Sequence, residues 1–392
     1  MSTPTQLRGR RRRLRRLLLV PLAAVIVVVL FFAASLIGAL TTPGNQNFQA
    51  KWADWLRSHD AAFIANHLES YYYSHNAPSR GGVPRGLNPL PASADAASDP
   101  SHSPPTIVVR SHLAAPSPVP LVVSPALPGE GSWRPAGPDI GGVPSMYEAQ
   151  FRADDVYTSQ ITSAVWIDTS LLRVALVPGA YEPGGTWAQT PYINSAQLPY
   201  ALAAFNGGFR VQDARGGFYL NGTTEVPLRM GAASMVIYSD GHIDIGTWGN
   251  EVSMSQNVVA VLQNLALMVD RGRLASNATY SDNRVWGSTL GANTVVARSG
   301  IGVSATGALI YVAGPALTAK SLAESLQRAG AVRAMTLDIN PEWVTLNFYS
   351  HPNGVGSPLV YASKLYPSMQ RPATRYLGPT RESRDFFMVY AP

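Results

Sequence analysis

The stretch TAKSLAESLQRAGAVRAMTLDINPEWVTLNFY, Thr318 to Tyr349, decides the fold. Its first part reads as a helix over Thr318–Ala329. Thr318 is the N-cap candidate, Leu317 and Leu322 are placed as a hydrophobic staple, and Gly330 is the C-cap. Leu322, Leu326 and Ala329 form one apolar stripe along it. A strand follows at Val332–Asp338. The chain breaks at Pro341 and resumes as a second β-like run from Trp343. Asp338 is read either as a turn-capping residue at a strand end or as a carboxylate presented at a sheet edge.

Upstream, short apolar runs alternate with tight-turn residues. Gly217–Val226 carries Asn221-Gly222, Ala233–Ile245 carries Asp240-Gly241, and Gly302–Val312 carries Thr306-Gly307. Such pairs accept positive φ, so each segment predicts a hairpin. Ser163–Asp168 and Leu171–Pro178 read as paired strands around Thr169-Ser170. Tyr200–Phe205 is an apolar run that ends at Asn206-Gly207-Gly208, and Asp385–Tyr390 supplies a last strand. Several hairpins with one late helix packed on a sheet predict an α+β domain of β-rich mixed sheets over 143–392.

Before that domain, Asn76–Ser145 holds 15 of the 31 prolines. Proline removes backbone donors, so 76–142 reads as a linker, with Thr106–Arg110 and Pro120–Ser124 as candidate edge strands. Phe48–Tyr73, within a helical segment at 46–75, reads as an amphipathic helix, lying either on a membrane interface or on the main domain. Leu17–Leu40 is 24 residues without a charge, long enough to cross a bilayer. Seven arginines lie within Arg8–Arg16 and no acid precedes Asp54. The positive-inside rule therefore makes 1–16 a cytoplasmic tail and 17–40 an uncleaved transmembrane anchor, with the main domain extracytoplasmic at the cell membrane. A cleaved signal peptide is the alternative, with Ala33, Ala34 and Ala39 near its cleavage region.

The net charge of +6 becomes −1 without the seven arginines, so the folded part carries no basic balance for nucleic acid. There is no cysteine, which excludes disulfides and thiol chemistry. Seven scattered histidines, only His242 and His351 of them within the domain, give no HExxH. Neither a GxSxG elbow nor a GxxxxGK[ST] loop occurs, which leaves little support for a serine hydrolase or an NTPase. No cofactor is predicted, and a divalent metal is left open.

Three constellations carry possible chemistry. In Phe205-Asn206-Gly207-Gly208-Phe209-Arg210, paired glycines let backbone approach a ligand, or simply make a tight turn. Arg298-Ser299-Gly300 offers a cation that suits a phosphate or carboxylate, or a surface ion pair. Asp338, Asn340 and Glu342 offer an acid/base and nearby polar contacts.

These residues, in this order, resemble the phosphodiester glycosidase family. The resemblance runs from about Tyr157 to Tyr349. It rests on Ala204-Phe205-Asn206-Gly207-Gly208-Phe209, on Arg298-Ser299-Gly300-Ile301-Gly302, and above all on LAESLQRAGAVRAMTLD at Leu322–Asp338. The family usually continues with glycines after the aspartate, whereas this chain has Ile339-Asn340-Pro341. The resemblance implies a hydrolase that cleaves a sugar-1-phosphodiester in an envelope glycan or wall polymer. Asp338 is then the acid/base, Arg298 neutralises phosphate, and Asn206 with the amides of Gly207 and Gly208 holds a sugar hydroxyl or phosphate oxygen. Arg210, Asn340 and Glu342 become further substrate contacts. The alternative is a non-catalytic glycan- or phosphate-binding envelope protein that keeps the fold.

Overall fold

The computed structural model describes residues 4–42, 44–88, 111–279, 283–286 and 295–392. Its chain divides into two compact units, residues 1–67 and 68–392.

In the second unit the helix Ala319–Arg328 forms where expected. Ser321 N–H donates to Thr318 Oγ1 at 3.0 Å and Thr318 N–H donates back to Ser321 Oγ at 3.0 Å, closing a capping box. Gly330 ends it at φ +102°, which a side chain would resist. The strand Ala331–Ile339 follows with no loop between.

That strand lies inside an eight-stranded antiparallel sheet. Its central members are Met146–Phe151, Thr162–Ile167, Leu309–Leu317, Val296–Ser304, Ala331–Ile339 and Leu267–Asp270, in that spatial order. Strand side chains alternate between faces, and this sheet uses both. One face (Phe151, Ile310, Val312) packs on Leu322 and Leu326 of the helix. The other (Val165, Ile301, Met335, Leu337) packs on two five-stranded sheets. The hairpin sheet is built from Ile243–Thr247, Ala233–Tyr238, Val258–Gln263, Phe218–Leu220 and Thr223–Val226. The terminal sheet has the order Tyr361–Lys364, Leu346–Ser350, Ala201–Asn206, Phe386–Tyr390, Arg173–Val177. The α+β reading is borne out, as are the three hairpins, with Asn221, Gly222, Gly241 and Gly307 all at positive φ.

Two local expectations differ. Thr162–Ile167 and Arg173–Val177 are not paired with each other. The first joins Met146–Phe151 and Leu309–Leu317, the second joins Phe386–Tyr390. Asp168 turns the chain by accepting from Ser170 N–H, and both Leu171 and Leu172 are fully buried. Adjacent residues of a half-exposed hairpin cannot both be buried, so the chain crosses to the other layer instead.

Pro120–Ser124 is not a strand. It belongs to an ordered strap over the domain. Prolines at 116, 118, 120 and 125 remove the donors a ladder needs. The strap is held by side chains instead. Arg152 forms a two-pronged pair with Glu130, at 3.0 and 2.7 Å, and donates to the carbonyls of Val123 and Pro125. Arg328 donates to the Pro120 carbonyl at 3.0 Å. The candidate strand Thr106–Arg110 lies outside the described residues.

The first unit is helical. Pro4–Thr41 is one helix, and its apolar part, Leu19–Thr41, is long enough to cross a membrane. Phe48–Tyr73 is not one helix. It is two, Phe48–Ser58 and Ala62–His75, separated at Asp60 with φ +57°. Phe48–Ser58 folds back on the end of the apolar helix. Trp52 Nε1 donates to Ser35 Oγ at 3.0 Å, and the Trp55 ring fills the space where Gly38 lacks a Cβ.

Candidate active site

The site forms where strand ends of the large and terminal sheets meet. Ala331–Ile339 delivers Asp338 there, and Val296–Ser304 delivers Arg298 and Ser299. Ala201–Asn206 delivers Asn206-Gly207-Gly208, and the polar run Arg381–Asp385 enters just before Phe386–Tyr390.

Asn206 is the stitch between the sheets. Its Oδ1 accepts from the Tyr311 hydroxyl at 2.9 Å and from Thr345 N–H at 3.1 Å. Its Nδ2 donates to Ser299 Oγ at 3.0 Å and to the Gly207 carbonyl at 2.9 Å. Ser299 Oγ in turn donates to the Asp338 carbonyl at 2.8 Å. A buried amide with this many partners fixes a position. Its polar atoms serve the protein rather than face a ligand, which differs from the contact expected of it.

The two glycines make room for side chains. Gly207 N–H donates to the Asp385 carbonyl at 3.1 Å, and Asp338 N–H donates to the Gly207 carbonyl at 3.1 Å. Gly207 thus sits between the two aspartates. A Cβ there would fall 1.8 Å from Asp385 Oδ2, and one on Gly208 would lie 3.3 Å from Asn264. Both neighbours carry a buried acceptor without a hydrogen-bond partner, Asp385 Oδ2 and Asn264 Oδ1. Orphaned acceptors at a strand end are what hydroxyl groups of a ligand would satisfy.

Asp338 is buried. Its Oδ1 accepts from Ile339 N–H at 2.8 Å and its Oδ2 is paired with Arg384. Burial pushes its carboxyl up to about 6, against the opposing pull of Arg384 and of the Ile339 amide. Asp385 is pushed further, to about 8, by burial first and then by the charges of Glu182 and Asp338. Two carboxylates whose environments separate their pKa values around neutrality form an acid and a base. Arg384 itself lies 3.6 Å from the centroid of the Trp343 ring, which fixes its plane.

The remaining expected residues divide into groups. Arg298 is buried in the large sheet, with Nε donating to the Leu317 carbonyl at 2.9 Å. Its ladder partner is Ile339, one residue beyond Asp338. Burial lowers its guanidinium to about 10, so it stays charged at neutral pH. Arg210 pairs with Glu182 through Nε at 3.4 Å. Glu342 pairs with Arg371 at 2.8 Å. Asn340 is a turn residue at φ +84° whose Oδ1 accepts from Glu342 N–H at 3.0 Å. This is a backbone conformation in which glycine is at ease and asparagine is among the few tolerated replacements. Ile339 points its side chain into the helix-side core with Val296 and Leu322. The departure from the family's glycines therefore leaves the turn conformation available.

Arg384 and Asp385 were missed by sequence reasoning. Their one signal was a run of five polar residues, Arg381–Asp385, set directly against the apolar Phe386–Tyr390. Among the described residues, no three His, Asp or Glu side chains converge as a metal set.

Residues 200–338 match the family model described as phosphodiester glycosidase. This segment holds Asn206, the glycines, Arg298 and Asp338, and the family it matches is one of glycosidase-type hydrolases. The recognition drawn from the motifs is borne out over that range. Among solved structures, the chain is similar to the zebrafish N-acetylglucosamine-1-phosphodiester alpha-N-acetylglucosaminidase catalytic domain, auto-inhibited by its pro-peptide. Identity is 14%, the TM-score is 0.42, and the match covers 64% of this chain and 85% of that one. A hypothetical protein from Synechocystis matches at 14% identity and a TM-score of 0.36, over 66% of this chain and 64% of the other. A putative exported protein from Burkholderia pseudomallei matches at 13% identity and 0.27, over 59% and 74%. No curated protein sequence is significantly similar to the chain.

Proposed function

We propose that this chain is a membrane-anchored, extracytoplasmic hydrolase that cleaves a sugar-1-phosphodiester in an envelope glycan or wall polymer. The observation that carries the reading is the pair Asp338 and Asp385, joined through the Gly207 peptide, with pKa values displaced to about 6 and about 8. At neutral pH Asp338 is mostly ionised and Asp385 mostly protonated. Asp338 takes a proton from water as the water oxygen bonds to the sugar C1. The bond from C1 to the phosphate oxygen breaks, and Asp385 gives its proton to the departing oxygen. Arg384 orients Asp338, whereas Arg298, the ladder partner of Ile339, lies with it on the helix-side face. Asn264 Oδ1 accepts from a sugar hydroxyl. Gly208, Arg210, Asn340 and Glu342 shape the surroundings.

The anchor reading has its own support. A signal peptide is cut away from the mature chain. Here Trp52 and Trp55 from beyond the apolar helix are seated on Ser35 and Gly38 within it. Such packing would be lost on cleavage, which supports the reading of a retained helix, and the Arg8–Arg16 cluster supports a cytoplasmic start.

The test is turnover of a chromogenic sugar-1-phosphodiester by the full chain in detergent micelles, with products identified by mass spectrometry. Free sugar and a phosphomonoester are expected. Saturable binding without product would replace the hydrolase with a glycan-binding protein.

A further inference from the structure

A cavity that neither Asp338 nor Asp385 lines runs along the edge of the terminal sheet. It measures about 570 Å³, within the range of small-ligand sites. One wall is the whole of Arg173–Val177, an edge strand paired on one side only, with Phe386–Tyr390. Leu220, Ile237 and Ala260 of the hairpin sheet face it across the gap. Strand Phe386–Tyr390 runs between the carboxylate pair and the cavity. Asp385 precedes it, while Met388 and Tyr390 line the cavity, and Val177, the ladder partner of Phe386, carries the cavity wall back toward Asp385.

The chemistry of the lining is specific. Tyr200 and Tyr238, and the carboxamide residues Gln189, Gln197 and Asn221, are among the lining residues. Tyr200 is 48% exposed, so its ring is available. Asn194 N–H already occupies Gln197 Oε1 at 3.1 Å, which leaves the NH₂ end of that amide for a ligand. The lining has one charged side chain, Arg173, and its guanidinium donates to the carbonyls of Thr169 and Leu172 at 3.2 and 3.1 Å. Ring faces receive the C–H faces of a sugar, and carboxamides both donate to and accept from hydroxyls. A lipid tail would leave those carboxamides unsatisfied.

We infer that this cavity is a second binding site, for a neutral saccharide segment, distinct from the carboxylate pair. Its occupant is a phosphate-free stretch of the same polymer that is cleaved at the carboxylate pair. The choice of polymer rests on the proposed function, whereas the affinity for neutral saccharide does not. The site would hold the polymer on the enzyme while successive phosphodiesters reach Asp338, which is a multivalent gain without any new contact at the reacting bond.

The experiment uses the full chain in micelles, with wall polysaccharide stripped of its phosphate as the titrant. Binding is expected for the native chain, weakened about tenfold by Tyr200→Ala and by Gln189→Ala, the loss of one good contact. With the intact polymer as substrate, both variants raise KM and keep kcat, and turnover of the small chromogenic diester stays within about twofold. No binding by the native chain, or equal binding by native and variant chains, overturns the inference. If binding and its loss are seen but no diester is cleaved, the proposed function fails and the saccharide site stands.

Discussion

Arg375 and Arg384 are both buried, both face Trp343, and both come from the same C-terminal segment, yet their surroundings are opposite in kind. Arg375 grips Glu382 with two prongs at 2.6 and 2.9 Å and donates further to the carbonyls of Glu342 and Trp343 and to Thr345 Oγ1. Its guanidinium is held charged more firmly than usual, with Glu382 the largest force overcoming the effect of burial. Arg384 pairs with Asp338, but the adjoining Asp385 keeps an oxygen with no partner and a carboxyl pushed up to about 8. A satisfied buried ion cluster locks geometry. A cluster left one partner short, beside the first, is poised to exchange a proton. The locked cluster braces the poised one, because Arg375 holds the backbone of residues 342–345 from which Trp343 meets Arg384.

The comparison can be broken at either end. Arg375→Met strands the Glu382 charge in the interior, and about 3–5 kcal/mol of stability should be lost in urea unfolding of the full chain. A loss below about 1 kcal/mol would mean that the two clusters do not differ in kind. Asp338→Asn removes the base and leaves the buried Arg384 without its carboxylate, so kcat/KM should fall about 10²–10⁴-fold and the melting temperature should fall with it. Unchanged turnover removes Asp338 from the mechanism.

A finer probe is pH. The activity profile should be a bell with limbs near 6 and 8, and Asp385→Asn should abolish the alkaline limb. Stability carries the same signature. Both native carboxyls hold protons that the unfolded chain gives up near 3.8, so stability should fall as pH rises from about 4 to about 8. Asp385→Asn should flatten that decline in thermal melts, and a slope equal to the native chain's would contradict the assignment. The smallest effect is expected at the turn. Asn340→Gly should change stability by less than about 1 kcal/mol and leave kcat alone, while Asn340→Val should cost about 1–3 kcal/mol, because a β-branched residue resists φ +84°.

Local signals in the sequence carried far. The Thr318 cap, the glycine stop and the positive-φ hairpin turns are encoded within a few residues of one another, and all form as read. Asp338 and the Asn206-Gly207-Gly208 turn were legible for the same reason. What could not be read were pairings across the chain. Asp338 meets Arg384 46 residues later, and Asn206 meets Tyr311 105 residues later. No local pattern reports such distances. The roles of neighbours were also exchanged. Asn206, expected to face a ligand, holds the sheets together, while Asp385, read only as the start of a strand, holds the unpaired oxygen. Leu171 and Leu172 deceived because the turn between two strands says nothing about whether they remain in one layer.

The turn at Asn340 has a consequence for how such chains are recognised. A pattern written in letters asks for glycine after the aspartate and scores this chain down. A pattern written in torsion angles asks for φ near +84° and accepts it. Asparagine supplies here an angle that glycine would also supply. A search that tolerates asparagine and aspartate there would gather sequences that a glycine rule discards, and would sort them by whether the backbone can still bend.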